Sequence, residues 1–452
     1  MVGKTRDGLP LSMILFISII ALVYAVQNVM SPALERMSLY FGFGGTKKEL
    51  GIVTFSFTLL SGISMVLFGY LADKVTRVRI LLAGSLLYAI PSTMILLVPP
   101  GSTGYAFFFM LELTAGFGFG MVIPNIFSLI GDLVSMNDRS KGFSFFSIAT
   151  LLGMAVGVGL GSAFADGDWR IAYGIIGCVG IATALMTIGI SEPSRIGRDN
   201  LFLVDEKAVE YTYRIKLSDL KTIFKKRSNI WLVINFVDTI PTGIIIFLLF
   251  TYLEEEHNVD QGIGLVFLSF VLLSTLVGTI VFGYITDTLY ARGKRKARVL
   301  YALMANVAPI PFVFVGLLIP FKLPDGGTVA DLFMNPAAVA VLLLFVIGLF
   351  LNGATNGSWY ATVVDINLPE HRGTVLSTAN FFDILGKSLG PLIGSLVADA
   401  FGTLAGMAMS IIFWVFLPFF WIPVLRHVEE DMDKTKAIFE KRLGNLSRDG
   451  GS

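Results

Sequence analysis

Charged residues are scarce in this chain of 452 residues: only 15% are Asp, Glu, Lys or Arg, whereas 54% are hydrophobic. Soluble domains carry about 25% charged residues, so the composition indicates a membrane protein. The single cysteine, Cys178, excludes an intrachain disulfide framework and a multi-cysteine metal site. The formal net charge of +1 gives no case for nucleic-acid binding. The sequence contains no nucleophile–base or metal-ligand constellation, so we expect neither an enzyme nor a bound metal or cofactor.

Long apolar runs, in contrast, are abundant. A membrane-spanning helix needs about 20 mostly apolar residues, and the sequence predicts twelve of them. The first run is too long for the core of a signal peptide, and we interpret it as a retained helix. The sequence therefore predicts an all-α integral membrane protein. Its spans are expected at about 11–34, 50–72, 78–98, 104–131, 143–164, 170–190, 229–253, 261–286, 298–320, 337–364, 373–398 and 402–425.

Lysine and arginine are distributed unevenly between the loops on the two sides. With both termini placed inside, the inside segments carry 28 of the 34 cations, the outside loops carry 5, and Lys387 lies within a helix. Cytoplasmic loops are the ones that collect Lys and Arg, so we predict that both termini are cytoplasmic. We expect a multi-pass protein of the plasma membrane that acts as a monomer.

The two halves of the chain resemble each other. The sequence Gly69-Tyr70-Leu71-Ala72-Asp73 recurs as Gly283-Tyr284-Ile285-Thr286-Asp287. Later blocks align at an offset of 233, at which Asp132 matches Asp365. The repeat predicts two pseudo-symmetric bundles of six helices each. The expected division is an N-terminal bundle at 1–190, a cytoplasmic linker at 191–228 with an amphipathic helix at 218–226, a C-terminal bundle at 229–425 and a cytoplasmic tail at 426–452.

The hairpin between the second and third helices carries a family motif. Gly69, Leu71, Ala72, Asp73 and Arg77 match the signature Gly-x-Leu-Ala-Asp-Arg-x-Gly-Arg-Lys. This hairpin resembles the signature loop of the major facilitator superfamily, whose members bind solutes near the midplane between two six-helix bundles. The resemblance implies a secondary transporter that alternates access by rocking its halves.

The same resemblance assigns a role to the charged loops. It implies that Asp73 engages the start of the eleventh helix near Gly373 when the cytoplasmic side is closed, a contact that a helix N-terminus favours. The alternative is a loop that sets membrane orientation with solvated charges. The predicted gating residues are Asp73, Arg77, Arg139, Asp287 and Arg372.

Four ionisable residues lie within predicted spans, where a charge costs at least about 2.5–3.5 kcal/mol and marks function. Glu112, Asp238 and Asp383 lie about 12–15 Å into their helices, near the middle of a hydrocarbon core about 30 Å thick. Asp383 and Lys387 are one turn apart and can pair. We predict that all four act in proton coupling or substrate binding. A structural Asp383–Lys387 salt bridge, and carboxyls of Glu112 and Asp238 that are protonated and bonded to neighbouring helices, are the alternatives.

Uncharged polar residues near the midplane can line a cavity or bond neighbouring helices. None of the three histidines lies in a predicted span, which argues against a histidine proton relay. Glycines four residues apart at 153–161 and 386–394 indicate close helix packing. The candidate cavity residues are Gln27, Asn28, Asn235, Asn352, Asn356, Tyr360 and Asn380.

The balance of buried charge bears on the substrate. Three carboxylates against one lysine favour a cationic or amphipathic organic solute over a phosphate, and proton coupling is the expected energy source. Glu112 stands where many members of the superfamily carry Arg. Asp168-Trp169-Arg170 resembles Spinster-type lipid transporters, although the helix-4 Glu of that group falls at Phe119 here. A lipid or lysolipid transporter, an uncoupled facilitator and a nutrient sensor are the alternatives, and sodium coupling stays open.

Overall fold

The structure is a computed structural model that describes residues 11–72, 75–133, 139–190, 221 and 223–449. It contains the twelve predicted spans, by length and composition. Spans 1–6 consist of Leu11–Asn28 with Leu34–Tyr40, Lys48–Ala72, Arg77–Met94, Gly101–Leu133, Arg139–Ala165 and Arg170–Met186. Spans 7–12 consist of Arg227–Ile234 with Ile240–His257, Gln261–Ala291, Ala297–Val307 with Pro309–Leu318, Pro336–Asn352 with Ala354–Ile366, Pro369–Phe401, and Thr403–Phe416 with Pro418–Asp449.

The two ends of the bundle need names. We call the end at which span 1 begins the proximal end and the opposite end the distal end. Odd-numbered spans run from proximal to distal, and even-numbered spans run back. A short helix, Val329–Met334, lies in the distal loop between spans 9 and 10.

Prolines lie at the breaks of four spans. Proline has no backbone N–H and collides with the carbonyl group four residues earlier, so it kinks or breaks an α-helix. Span 1 bends at Ser31–Ala33, span 9 restarts at Pro309, and span 12 restarts at Pro418. Span 7 passes through a 3-10 turn at Asn235–Thr239, and Pro241 is the second residue of the helix that follows. The break in span 7 contains Asp238.

Glycines allow the spans to cross closely, as the sequence predicts. A Cβ on Gly153, Gly157 or Gly161 of span 5 would lie 2.3 Å from a backbone carbonyl oxygen of span 1. The C-terminal half repeats this crossing between spans 11 and 7, where a Cβ on Gly390 would lie 2.7 Å from the carbonyl oxygen of Ile240. Within lipid there is no hydrophobic driving force between helices, and the close van der Waals packing that small residues permit stabilises such crossings instead.

We expect Gly157→Ala to destabilise the protein by about 1–3 kcal/mol, because the new methyl group would meet rigid backbone and push spans 1 and 5 apart. The measurement is the fraction of monodisperse protein that remains after heating in detergent. Gly159→Ala is the matched control, because a Cβ there meets only Leu265, at 3.9 Å. Equal losses in the two variants would contradict the proposed role of the crossing.

The last helix runs further than the predicted end of span 12. Pro418–Asp449 continues through most of the predicted tail and packs against the proximal end of the C-terminal half, where Lys296 pairs with Glu429 at 3.1 Å. Of the predicted amphipathic helix at 218–226, the structure describes residues 221 and 223–226. Within that segment Ile223 is buried in a small apolar cluster with Trp421.

Contacts at the distal end join the two halves. The Ser31 hydroxyl donates to the carbonyl oxygen of Ile246 at 2.6 Å. Arg36 pairs with Glu254 at 3.4 Å. Span 2 packs along span 11 so closely that a Cβ on Gly51 would lie 2.1 Å from Ser395 Oγ. The distal ends of the two bundles are therefore held together in this conformation.

Candidate substrate and coupling site

Asp238 lies in the break of span 7. The residues Asn235–Thr239 form a 3-10 turn between two α-helices. Asn235 Nδ2 donates to Asp238 Oδ2 at 3.1 Å, and Asn235 Oδ1 is buried without a hydrogen-bond partner. Irregular turns inside long helices often mark functional positions. This turn presents a carboxylate where the regular helix is interrupted.

The close crossing of spans 7 and 11 brings Asp238 to Asp383 and Lys387. A Cβ on Gly243 would lie 2.8 Å from the carbonyl oxygen of Lys387, so the two helices touch at this level. Lys387 Nζ donates to Asp383 Oδ2 at 2.8 Å, and Asp238 interacts electrostatically with both residues. The Thr239 hydroxyl donates to the carbonyl oxygen of Asp383 at 3.0 Å. We call Asp238, Asp383 and Lys387 the central charge cluster.

The central charge cluster faces the other half of the protein. Tyr24 of span 1 interacts electrostatically with Lys387 and Asp383, and it hydrogen-bonds Thr150 of span 5. The Lys387 and Asp383 side chains are 48% and 32% exposed, although both lie near the middle of a helix of 33 residues. Because a residue of span 1 lies opposite them, this exposure is toward the interface between the halves rather than toward lipid.

The charge of the cluster determines what it can bind. Two carboxylates and one ammonium group leave one negative charge when all three are ionised. An uncompensated charge at this depth is costly. A proton or another single positive charge neutralises the cluster, so the arrangement can accept one positive charge at a time.

The repeat shows how unequal the two halves are at this site. The offset of 233 relates Asp383 to Thr150 and Lys387 to Met154. The N-terminal half therefore contributes neutral groups where the C-terminal half contributes charges. Tyr24 and Thr150 are not among the residues predicted from the sequence. The repeat offset applied to Asp383 leads to Thr150, whereas nothing in the sequence singles out Tyr24.

Glu112 occupies a separate place in the N-terminal half. It is 3% exposed, and it lies beside Tyr173 of span 6. The two side chains are close without forming a hydrogen bond of good geometry, because Glu112 Oε1 and Tyr173 Oη are both buried without a partner. Phe108 and Trp169 pack edge-on against Tyr173. Glu112 is therefore a buried carboxyl within one bundle, not a member of the central charge cluster.

The other predicted cavity residues have different surroundings. Gln27 is half-buried. Asn28 is buried and donates to the carbonyl oxygen of Tyr24 at 2.8 Å, within its own helix. Asn352 donates to the carbonyl oxygen of Ala305 at 3.2 Å and so bonds span 10 to span 9. The side chains that lie outside the described residues are those of Asn356, Tyr360 and Asn380.

The predicted gating residues are partly described. Asp287 pairs with Arg298 of its own half at 2.6 Å, and Arg298 also pairs with Asp365 and lies over the ring of Tyr290. Arg77 is buried at the first residue of span 3. Asp73 lies outside the described residues, as do the side chains of Arg139 and Arg372.

The Asp168-Trp169-Arg170 motif lies at the distal end of the N-terminal bundle. Arg170 pairs with Asp168 at 2.8 Å and donates to the Tyr40 hydroxyl and the Val98 carbonyl oxygen, both at 2.9 Å. Hydrogen bonding to this guanidinium lowers the pKa of the Asp168 carboxyl. The motif therefore ties the distal loops of the bundle together.

Comparison with known proteins identifies the family. A family model of the Major Facilitator Superfamily matches residues 16–382, which is most of the chain. The chain belongs to the Major Facilitator Superfamily. It is therefore a transporter rather than an enzyme, and a transported small solute follows from the family.

Individual relatives cover less of the chain. The quinolone resistance protein NorA of Staphylococcus aureus is 27% identical over 147 residues, 32% of this chain and 36% of NorA. Protein spinster homolog 3 of Danio rerio is 25% identical over 274 residues, 58% of this chain and 51% of that protein. The chain thus spans about a third to a half of the length of these relatives.

Solved structures share the fold. A bacterial homologue of the human lysosomal transporter Spinster, in an inward-facing and unoccupied conformation, superposes with a TM-score of 0.76 at 15% identity, over 93% of this chain and 97% of that one. A mutant of the nucleoside transporter NupG superposes with a TM-score of 0.65 at 13% identity, over 93% of this chain and 99% of NupG. At these identities the likeness concerns the fold alone.

Proposed function

We propose that this protein is a proton-coupled transporter of a small organic solute that carries a positive charge. The observation that supports the proposal is the central charge cluster, in which Asp238, Asp383 and Lys387 together lack one positive charge and face the opposite half. Glu112 lies outside this cluster, and we assign it no direct part in coupling.

The charge balance gives a coupling mechanism. A proton and a cationic solute each neutralise the cluster, and both together would leave it positive in a medium where charge is costly. Binding of one therefore disfavours binding of the other, and each must leave before the other enters. This competition couples the inward movement of protons to the outward movement of the solute.

The orientation and the moving parts are also proposals. The excess of cations in the proximal segments supports a cytoplasmic proximal end in the plasma membrane. The bundles at 1–190 and 229–425 would then rock about the central charge cluster, and the distal contacts of Ser31 and Arg36 would belong to a state closed to the outside.

The likeness to a protein named for quinolone resistance supports an organic cargo. A second candidate is a lipid or lysolipid. The longer match to protein spinster homolog 3 favours it. Both candidates need a polar site facing the interface, and the same assay separates them.

In proteoliposomes that contain a pH dye, we expect a cationic amphiphile to drive a pH change in the wild type. Asp238→Asn leaves the cluster neutral without a proton or a cation, so we expect both the proton flux and the transport of the cationic solute to fall at least about tenfold. Glu112→Gln is the matched control, a neutralised carboxyl of another bundle, and should keep the coupling.

Each other outcome is informative. Solute movement without a pH change in the wild type would establish a facilitator. Proton flux that survives Asp238→Asn but not Glu112→Gln would move the coupling site to span 4. A response to lysolipids alone would favour the second candidate.

A further inference from the structure

Asp399, near the distal end of span 11, caps the beginning of span 2 in the other half. Its carboxylate accepts hydrogen bonds from the backbone N–H groups of Lys47, at 2.8 Å to Oδ1 and 3.0 Å to Oδ2, and of Lys48, at 2.8 Å to Oδ2. Lys48 is the first residue of span 2. The contact therefore joins a helix end of one bundle to a side chain of the other.

The residue before span 2 is not one that normally caps a helix. The first N–H groups of a helix lack partners within the helix, and a Ser, Thr, Asp or Asn just before the helix normally accepts from them. Here that residue is Lys47, and the hydroxyl of Thr46 can donate its single hydrogen to Glu49 Oε2, at 2.9 Å, or to the carbonyl oxygen of Phe43, at 3.0 Å. The cap is thus supplied from the opposite half, and a carboxylate suits it because helix N-termini carry partial positive charge.

A side-chain contact reinforces this cap. The ammonium group of Lys47 pairs with Glu255 of span 7 at 2.9 Å, and Glu255 accepts a hydrogen bond from Thr403. Lys47 is 7% exposed. The backbone N–H and the ammonium group of Lys47 therefore both contact residues of the C-terminal half.

Spans 2 and 11 run in opposite directions, so each begins where the other ends. Asp399 is near the end of span 11, where span 2 begins, and Asp73 follows span 2, where span 11 begins. The family resemblance concerns the proximal contact of Asp73. The distal contact of Asp399 is its counterpart at the other end of the same pair of helices.

We propose that Asp399 is a gating residue of the distal end, whose contact with the span 2 N-terminus forms when the distal pathway closes and breaks when it opens. The proposal rests on the alternating access of the proposed function but not on its proton coupling or its solute. A measurement of accessibility therefore tests it independently of transport.

The test uses a thiol reporter in span 2. Thr58 lies two turns after Gly51 and one turn before Gly62, and both of these glycines contact span 11, so Thr58 belongs to the same helix face. Its side chain is buried in this conformation, so a thiol at this position should react only when the distal pathway opens. Thr58→Cys is introduced together with Cys178→Ser, which removes the single native thiol.

A membrane-impermeant maleimide is applied from the distal side. We expect Asp399→Asn to raise the labelling rate of the reporter about 5–30-fold, because the neutral amide holds the helix end less tightly than the carboxylate does. Asp260→Asn, an exposed acid on the same end, is the matched control and should leave the rate unchanged.

A second pair of variants removes the donor instead of the acceptor. Lys48→Pro deletes one N–H group at a position where helices tolerate proline, and Lys48→Ala deletes only the side chain. We expect the proline variant to label faster than the alanine variant, and this difference to disappear when Asp399→Asn is also present. A folded Asp399→Asn protein with unchanged labelling, or a proline effect that persists without the carboxylate, would overturn the proposal.

Discussion

Lys387→Met should lower the initial rate of solute transport about ten- to a hundredfold. Removing the ammonium group leaves Asp238 and Asp383 as two carboxylates without a compensating charge. Breaking a fully buried pair in this way costs about 3–5 kcal/mol, and solvent screening lowers the cost to about 1.5–3 kcal/mol here because the Lys387 and Asp383 side chains are 48% and 32% exposed. Each 1.4 kcal/mol corresponds to a factor of about ten. The measurement is initial uptake into proteoliposomes at matched protein content.

The double variant Lys387→Met with Asp383→Asn should recover much of the lost activity. It restores the single negative charge of the wild-type cluster, now carried by Asp238 alone, so solute transport should again be coupled to protons. A double variant as inactive as Lys387→Met would mean that Lys387 and Asp383 do more than balance the charge of the cluster. Recovery of transport together with loss of proton coupling would assign the coupling to Asp383 rather than Asp238.

The fold could be predicted from the sequence because its determinants are local. Each span is a long apolar run, and the helix crossings follow from glycines such as Gly157 and Gly390, four-residue neighbours of other glycines. The depth of Asp238 and Asp383 was also predictable, because it depends only on the distance from a helix end.

Neighbours across the bundle could not be predicted in the same way. Asp238 has no cation close to it in sequence, whereas the crossing of spans 7 and 11 at Gly243 places it beside Lys387. The role of Asp399 is not predictable from the sequence for a related reason. Its partners are backbone N–H groups of Lys47 and Lys48, which no residue pattern reveals.

The second large effect is expected at the proximal end of the C-terminal half. Arg298 is 14% exposed and lies between Asp287 and Asp365, with its guanidinium 4.1 Å from the centre of the Tyr290 ring. Arg298→Met would leave the two carboxylates facing each other without the cation between them. We expect a loss of about 2–3 kcal/mol, less than for a fully buried network because Asp287 is largely exposed.

This loss should lower the apparent melting temperature in detergent by about 2–5 °C. Lys294→Met, an exposed cation of the same loop, is the matched control and should change the melting temperature little.

Arg298→Met also breaks the ion pair that holds Asp287 within its own half, so the same variant tests the predicted gating role of Asp287. If Asp287 then becomes available to the N-terminal half, Arg298→Met should reduce the proximal accessibility of a thiol placed in the central site. Unchanged accessibility in a destabilised protein would instead show that the Arg298 network only stabilises the C-terminal bundle.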